Sequence, residues 1–161
     1  MDRSFPPNVI TNAFGLSNQS GQGKILVDTM SLYEKNQTGN DTTSQNHEFI
    51  HLSTIDKYCQ EHKISQIDFL KIDTEGHDLF VLRGASEMIE AEQIKRIQFE
   101  YSAFNIYSRT MLRDFFSFFQ DRPYSIFQIM PKGLREIPIY DFSLENFIYK
   151  NFAVLHHSVN K

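Results

Sequence analysis

The stretch Ile67-Asp68-Phe69-Leu70-Lys71-Ile72-Asp73-Thr74-Glu75-Gly76-His77-Asp78 decides how this chain is read. Residues 67–72 (IDFLKI) are a compact apolar run with strand character, and residues 73–76 are polar and end in glycine. Leu79, Leu82, Ala85 and Ile89 then recur along one helical face. A strand that feeds a helix through a short polar turn places the turn at the carboxyl edge of a sheet, where open α/β sheets bind ligands. Asp73 and Glu75 thus stand at the mouth of a candidate site, beside helix N–H groups that favour their ionised forms. The same spacing also suits an ordinary helix start, with Asp73 or Thr74 as cap and Glu75 in the first turn. Gly76 permits a close approach of backbone or ligand and equally suits a plain turn. Lys71, inside the apolar run, implies an ion pair with Asp73 or Glu100, or exposure on a sheet edge.

Further along the chain, residues 94–101 (IKRIQFEY) alternate as a strand does, and residues 110–120 carry a helical stripe of Leu112, Phe115, Phe116 and Phe119 that Pro123 stops. Residues 124–130 (YSIFQIM) and 152–156 (FAVLH) read as closing strands that pair antiparallel, with a turn at 131–133 and a short helical turn capped near Asp141. His156 and His157 read as a surface strand end. Before the central stretch, residues 9–16 (VITNAFGL) and 24–28 (KILVD) read as a strand and its answering neighbour. Residues 31–46 are rich in Asn, Thr, Ser, Gln and Gly and read as a long mobile loop. Residues 47–52 (HEFIHL) are a further strand, and Ser53 with Asp56 opens a helix over 54–62. Alternating strands and helices predict an α/β fold with a mostly parallel sheet and an antiparallel edge strand.

The 161 residues suffice for one compact domain, and 40% hydrophobic residues with 15 phenylalanines supply its core. A formal charge of −4 and the lack of any Lys/Arg run oppose a nucleic-acid partner. No apolar stretch is long enough to span a bilayer, no signal-peptide pattern opens the chain, and a cytoplasmic protein is expected. The single Cys59 excludes an intrachain disulfide framework and reads as a packing residue. His47 and His51 share a strand face, but no cysteine or carboxylate cluster joins them, and no metal site is expected.

Residues 69–85 (FLKIDTEGHDLFVLRGA) resemble the signature of FkbM-type methyltransferases. Asn12-Ala13-Phe14-Gly15-Leu16-Ser17 with Gly21 and Gly23, then Ser53-Thr54-Ile55-Asp56, and then Ile97-Gln98-Phe99-Glu100-Tyr101 resemble elements that flank it. The resemblance runs from about residue 8 to about residue 156. It implies the Rossmann-like class I methyltransferase sheet and methyl transfer from S-adenosylmethionine to an oxygen or nitrogen of a small molecule or glycan. It carries Asp73, Glu75 and Glu100 over as catalytic positions and Ala13 and Asp73 as cofactor-binding ones. The glycine loop after the family's first strand and the acidic residue ending its second have no counterpart here, so the domain is expected to be N-terminally truncated. The family's order would set those two strands between its third and fourth, leaving a gap with unpaired backbone groups for a partner chain to complete. The alternative reading is a non-catalytic remnant or a partner-dependent subunit of a split methyltransferase.

Overall fold

The computed structural model describes residues 6–26, 31–33 and 47–159. The first half holds β1 (Gly15–Leu16), β2 (Gly21–Leu26), β3 (Ser31–Tyr33), β4 (His47–Ser53), α1 (Ile55–His62) and β5 (Leu70–Lys71). It continues with α2 (Asp78–Arg83), α3 (Ser86–Glu90), β6 (Arg96–Tyr101), α4 (Phe104–Ser108) and α5 (Leu112–Phe119). The chain closes with β7 (Tyr124–Met130), β8 (Gly133–Glu136), a 3-10 turn at Phe142–Leu144, and β9 (Lys150–His156). No helix among the described residues is long and apolar enough to cross a membrane.

The described strands form two sheets, ordered β1-β4-β2-β3 and β5-β6-β9-β7-β8. β1 and β5 are edge strands, and no ladder joins the sheets. The fold is therefore α/β with mixed sheets, which corrects the expectation of a mostly parallel one. Only β1 with β4 and β5 with β6 run parallel, and every other strand pairing is antiparallel. The reason lies in the connections: a hairpin joins β7 to β8, and β9 returns between β6 and β7.

Several boundaries shift for local reasons. Only Gly15–Leu16 of the expected strand 9–16 pairs with a neighbour, and β2 pairs with β4 and β3 instead of β1. Ser31–Tyr33, the start of the expected loop, forms β3 instead; residues 34–46 of that loop, and Val27 and Asp28 of the expected strand before it, lie outside the described residues. Thr54, not Ser53, caps α1, its side chain accepting from the Lys57 N–H at 3.1 Å. Asp56 accepts from the N–H groups of Glu87 and Met88, both at 3.0 Å, and so caps α3 from a distance. The expected single helix after the central turn breaks at Gly84 and Ala85 into α2 and α3, and α4 was not foreseen.

The core follows the period-two pattern of β6. Ile97, Phe99 and Tyr101 are fully buried, with Phe152 and Val154 of β9 in register beside Phe99 and Ile97. Phe115 of α5 stacks on Phe99 at 4.3 Å between ring centroids. The alternate residue Gln98 faces the other way and donates to Asn151 at 3.0 Å. Burying each of these aromatic side chains contributes about 1.5–3 kcal/mol. Cys59 is also a core residue, its thiol pushed up by burial and by nearby Asp56.

His156 is buried rather than a surface strand end, because it lies on the inner side of β9. It packs against Tyr124 and hydrogen-bonds Glu92 at 3.0 Å and Ser158 at 2.7 Å, while His157 is exposed.

Gly84 joins the first sheet to the body of the domain. A Cβ there would stand 2.0 Å from the carbonyl oxygen of Ser17, a backbone atom that cannot swing aside. Gly84→Ala is expected to lower stability by roughly 3 kcal/mol, read as a shift in the urea midpoint at constant slope. An unchanged midpoint would show that this contact is not what joins the two parts.

Candidate active site at the strand ends

The turn between β5 and α2 bends sharply. Glu75 takes φ +50° and Gly76 φ +91°, so two successive residues adopt left-handed conformations. At Gly76 any Cβ would lie 2.6 Å from the carbonyl carbon and oxygen of Phe104, so only glycine lets the turn press against the start of α4.

Neither Asp73 nor Thr74 caps α2. Asp78 instead organises the turn from inside: it is fully buried and accepts from Thr74 Oγ1 at 2.7 Å, the Thr74 N–H at 3.3 Å and the Glu100 N–H at 3.0 Å. Burial pushes its carboxyl pKa up, against the pull of these three hydrogen bonds. This one side chain therefore ties the turn after β5 to the end of β6. Its sequence signal was slight: an aspartate four residues after Thr74, in the first turn of a helix.

Asp73, Glu75 and Glu100 come together around one cavity of about 470 Å³, walled also by Ser102, Phe104, Phe147 and Tyr149. Ala13 does not line it; it is exposed between Asn12, which hydrogen-bonds Tyr58, and Phe14, which packs on the Tyr58 ring. Asp73 pairs with Lys71, and both are half-exposed at the β5 edge, where the ion pair raises the Lys71 pKa. Glu100 is only 8% exposed. Burial raises its pKa, and the neighbouring carboxylates of Glu75, Asp73 and Asp78 add to the rise. Among the described residues no lysine or arginine lines this cavity, but the Lys71 ammonium that pairs with Asp73 also interacts with Glu100 and Tyr149.

The aromatic wall was not legible in the sequence. Phe147 and Tyr149 belong to the segment 137–149, which runs from β8 to β9 and is clasped by Glu145. Its carboxylate accepts from Tyr101 at 2.5 Å, Tyr140 at 3.0 Å, and the N–H groups of Leu112 and Arg113 at 3.0 and 2.7 Å. Burial opposes ionisation of Glu145, but these four donors together hold its pKa below the usual value. The same carboxylate caps α5, supplying acceptors that its own N-terminal residue, Met111, lacks. Phe147 then stacks on Tyr101 at 5.4 Å.

Among the described residues no three His, Cys, Asp or Glu side chains converge as metal ligands.

The Methyltransferase FkbM domain matches residues 5–126, about three quarters of the chain. The chain belongs to the FkbM methyltransferase family. No curated protein and no solved structure shows significant similarity to it. The matched span of this FkbM methyltransferase includes Asp73, Glu75, Gly76, Asp78 and Glu100, whereas Glu145, Phe147 and Tyr149 lie beyond it.

His77, at the start of α2, is 3% exposed and stacks on Phe80 at 4.5 Å. Ser17 donates to the Asn18 side chain at 3.0 Å, which leaves the His77 Nε2–H to donate to Ser17 Oγ at 2.9 Å. Burial lowers the His77 pKa from 6.5 to about 4. The unfolded chain therefore binds more protons between those values, so stability is fully present above about pH 6.5 and is lost as pH falls toward 4. The loss is expected to reach roughly 3 kcal/mol. His77→Gln should flatten that slope in urea titrations across this range, and a variant with the wild-type slope would remove His77 as its source.

Proposed function

We propose that this domain carries the acceptor side of an S-adenosylmethionine-dependent methyltransferase site, acting on an oxygen or nitrogen of a small molecule or glycan. One observation carries the reading: three carboxylates at the carboxyl ends of β5 and β6 converge on a single cavity in a chain of this family. Glu100 is the group best placed to accept the acceptor's proton, since burial and its acidic neighbours make it a stronger base than a solvated carboxylate. Asp73, held by Lys71, and Glu75, held in its left-handed turn, orient the acceptor, while Phe104, Phe147 and Tyr149 shield it from water.

S-adenosylmethionine, when bound, supplies an electrophilic methyl on a positively charged sulfur. Three carboxylates and aromatic rings, against the single Lys71 ammonium that pairs with Asp73, leave the cavity an excess of negative charge that suits that sulfonium. The adenosine end has no such fit. The described turns that lead from a strand into a helix are those before α1, α2 and α4, and none is a glycine-rich phosphate- or ribose-type loop. Ala13, suggested by resemblance as a donor contact, is exposed outside the cavity.

We therefore assign the donor grip to strands beyond the described residues. These would come from another part of the gene product or from a partner chain, would add to the edges of β1 and β5 that are unpaired among the described residues, and would complete a Rossmann-like sheet. A non-catalytic, partner-dependent subunit is the second reading, favoured by the same absence of a donor loop among the described residues.

Calorimetric titration of the chain alone with S-adenosylmethionine is expected to give no saturable heat up to about 1 mM. Micromolar binding would overturn the division of the site. In a preparation that does turn over, Glu100→Gln should lower kcat by about 10²–10⁴-fold. The wild-type rate should fall with acid at a pH above the ordinary carboxylate range, because Glu100 must be ionised to act. A Glu100→Gln variant with full activity would favour the second reading.

A further inference from the structure

Charge decides what the cavity at the ends of β5 and β6 can hold. Asp73, Glu75 and Glu100 line it, and one ammonium, that of Lys71, stands against them, so two of the three carboxylates are left without a matching cation. Lys71 forms its ion pair with Asp73, and among the described residues neither Glu75 nor Glu100 has an ion pair of its own. Glu100 is 8% exposed, and the side-chain donor that its carboxylate meets is the Ser102 hydroxyl. A buried carboxylate with so few donors is unfavourable until a further donor or a cation reaches it.

The arrangement suits an organic cation better than a metal ion. Among the described residues no three acidic or histidine side chains converge as metal ligands, whereas the cavity, at about 470 Å³, has the volume of a small-molecule site. Its remaining wall is aromatic, formed by Phe104, Phe147 and Tyr149. Phe147 is fixed by stacking on Tyr101 at 5.4 Å, and the Phe104 backbone is fixed against Gly76. Ring faces attract a cation, and carboxylates accept strongly from charged N–H groups. An ammonium gains from both walls, and an uncharged hydroxyl gains much less from either. A second cavity, of about 650 Å³ between α5, β7 and residues 136–140, is lined by Arg113 and Arg122 and shares no residue with the acidic one, so binding at the two is separable by mutation.

We propose that the acidic cavity binds an organic primary or secondary ammonium, its N–H groups on Glu75 and Glu100 and its carbon body against Phe104, Phe147 and Tyr149. The inference rests on the acceptor-site reading and names nitrogen, rather than oxygen, as the acceptor atom. The bound ammonium becomes a nucleophile by giving one proton to Glu100, which frees the nitrogen lone pair and leaves Glu100 a neutral acid.

The test uses para-fluorobenzylamine, cationic at neutral pH, and para-fluorobenzyl alcohol, its uncharged counterpart of nearly the same shape. Each is titrated into the full chain and followed by fluorine NMR linewidth. Saturable binding of the amine in about the millimolar range is expected, with the alcohol about tenfold weaker. Glu75→Gln and Glu100→Gln should each weaken the amine by about five- to tenfold and leave the alcohol unchanged. Tyr149→Ala, at an exposed position, should weaken both compounds. Glu61→Gln, which removes the same charge from α1 outside the cavity, should change neither. The proposal is overturned by absence of saturable amine binding, by equal affinity for amine and alcohol, or by a preference for the amine that survives both carboxylate variants. Those outcomes leave the acceptor-site reading in place for a hydroxyl; that reading fails separately, through full turnover by Glu100→Gln.

Discussion

The buried carboxylate of Asp78 is the constraint on which the site depends. A charged side chain with no exposure to solvent is tolerated only when donors surround it, and here all three come from the site itself: two from Thr74 and one from the Glu100 backbone. The parallel ladder between β5 and β6 contains only two residue pairs. Asp78 extends that short connection across the turn, and the left-handed pair Glu75 and Gly76 follows from it. With the turn drawn inward, Gly76 meets the Phe104 carbonyl, and Glu75 and Glu100 face one cavity. Their mutual repulsion is sustained because the backbone beneath them is over-determined.

A second contact system sets the first sheet against this frame. Ser17 meets His77 through its hydroxyl and Gly84 through its carbonyl, so both ends of α2 face the turn after β1. Asp56 adds a bond from α1 to the start of α3. These contacts carry the junction in place of strand pairing, since β1 and β5 remain edges of separate sheets.

Glu145 provides the third fixed point and lies between two cavities of unlike chemistry. Through Tyr101 and Phe147 it holds the wall of the acidic cavity, and through Tyr140 it holds the wall of the arginine-lined one. The family match ends at residue 126, before this segment.

Local pattern was enough to locate the central strand, turn and helix, the alternation of β6 and the apolar stripe of α5, because each is a matter of spacing along the chain. The placing of Asp73 and Glu75 at a strand-end turn was legible for the same reason, whereas Glu100 was singled out by the family resemblance; that all three face one cavity is a matter of the tertiary structure. The mixed sheet order, the break at Gly84, the buried His156 and the aromatic wall were not, since each depends on which distant segment comes to rest beside it. Asp56 and Glu145 show the difference most plainly. Asp56 read as an acid opening its own helix and Glu145 carried no local signal, yet each caps a helix about thirty residues away. Such partners are chosen by which donors remain unsatisfied once the chain has folded, and only the tertiary structure decides that.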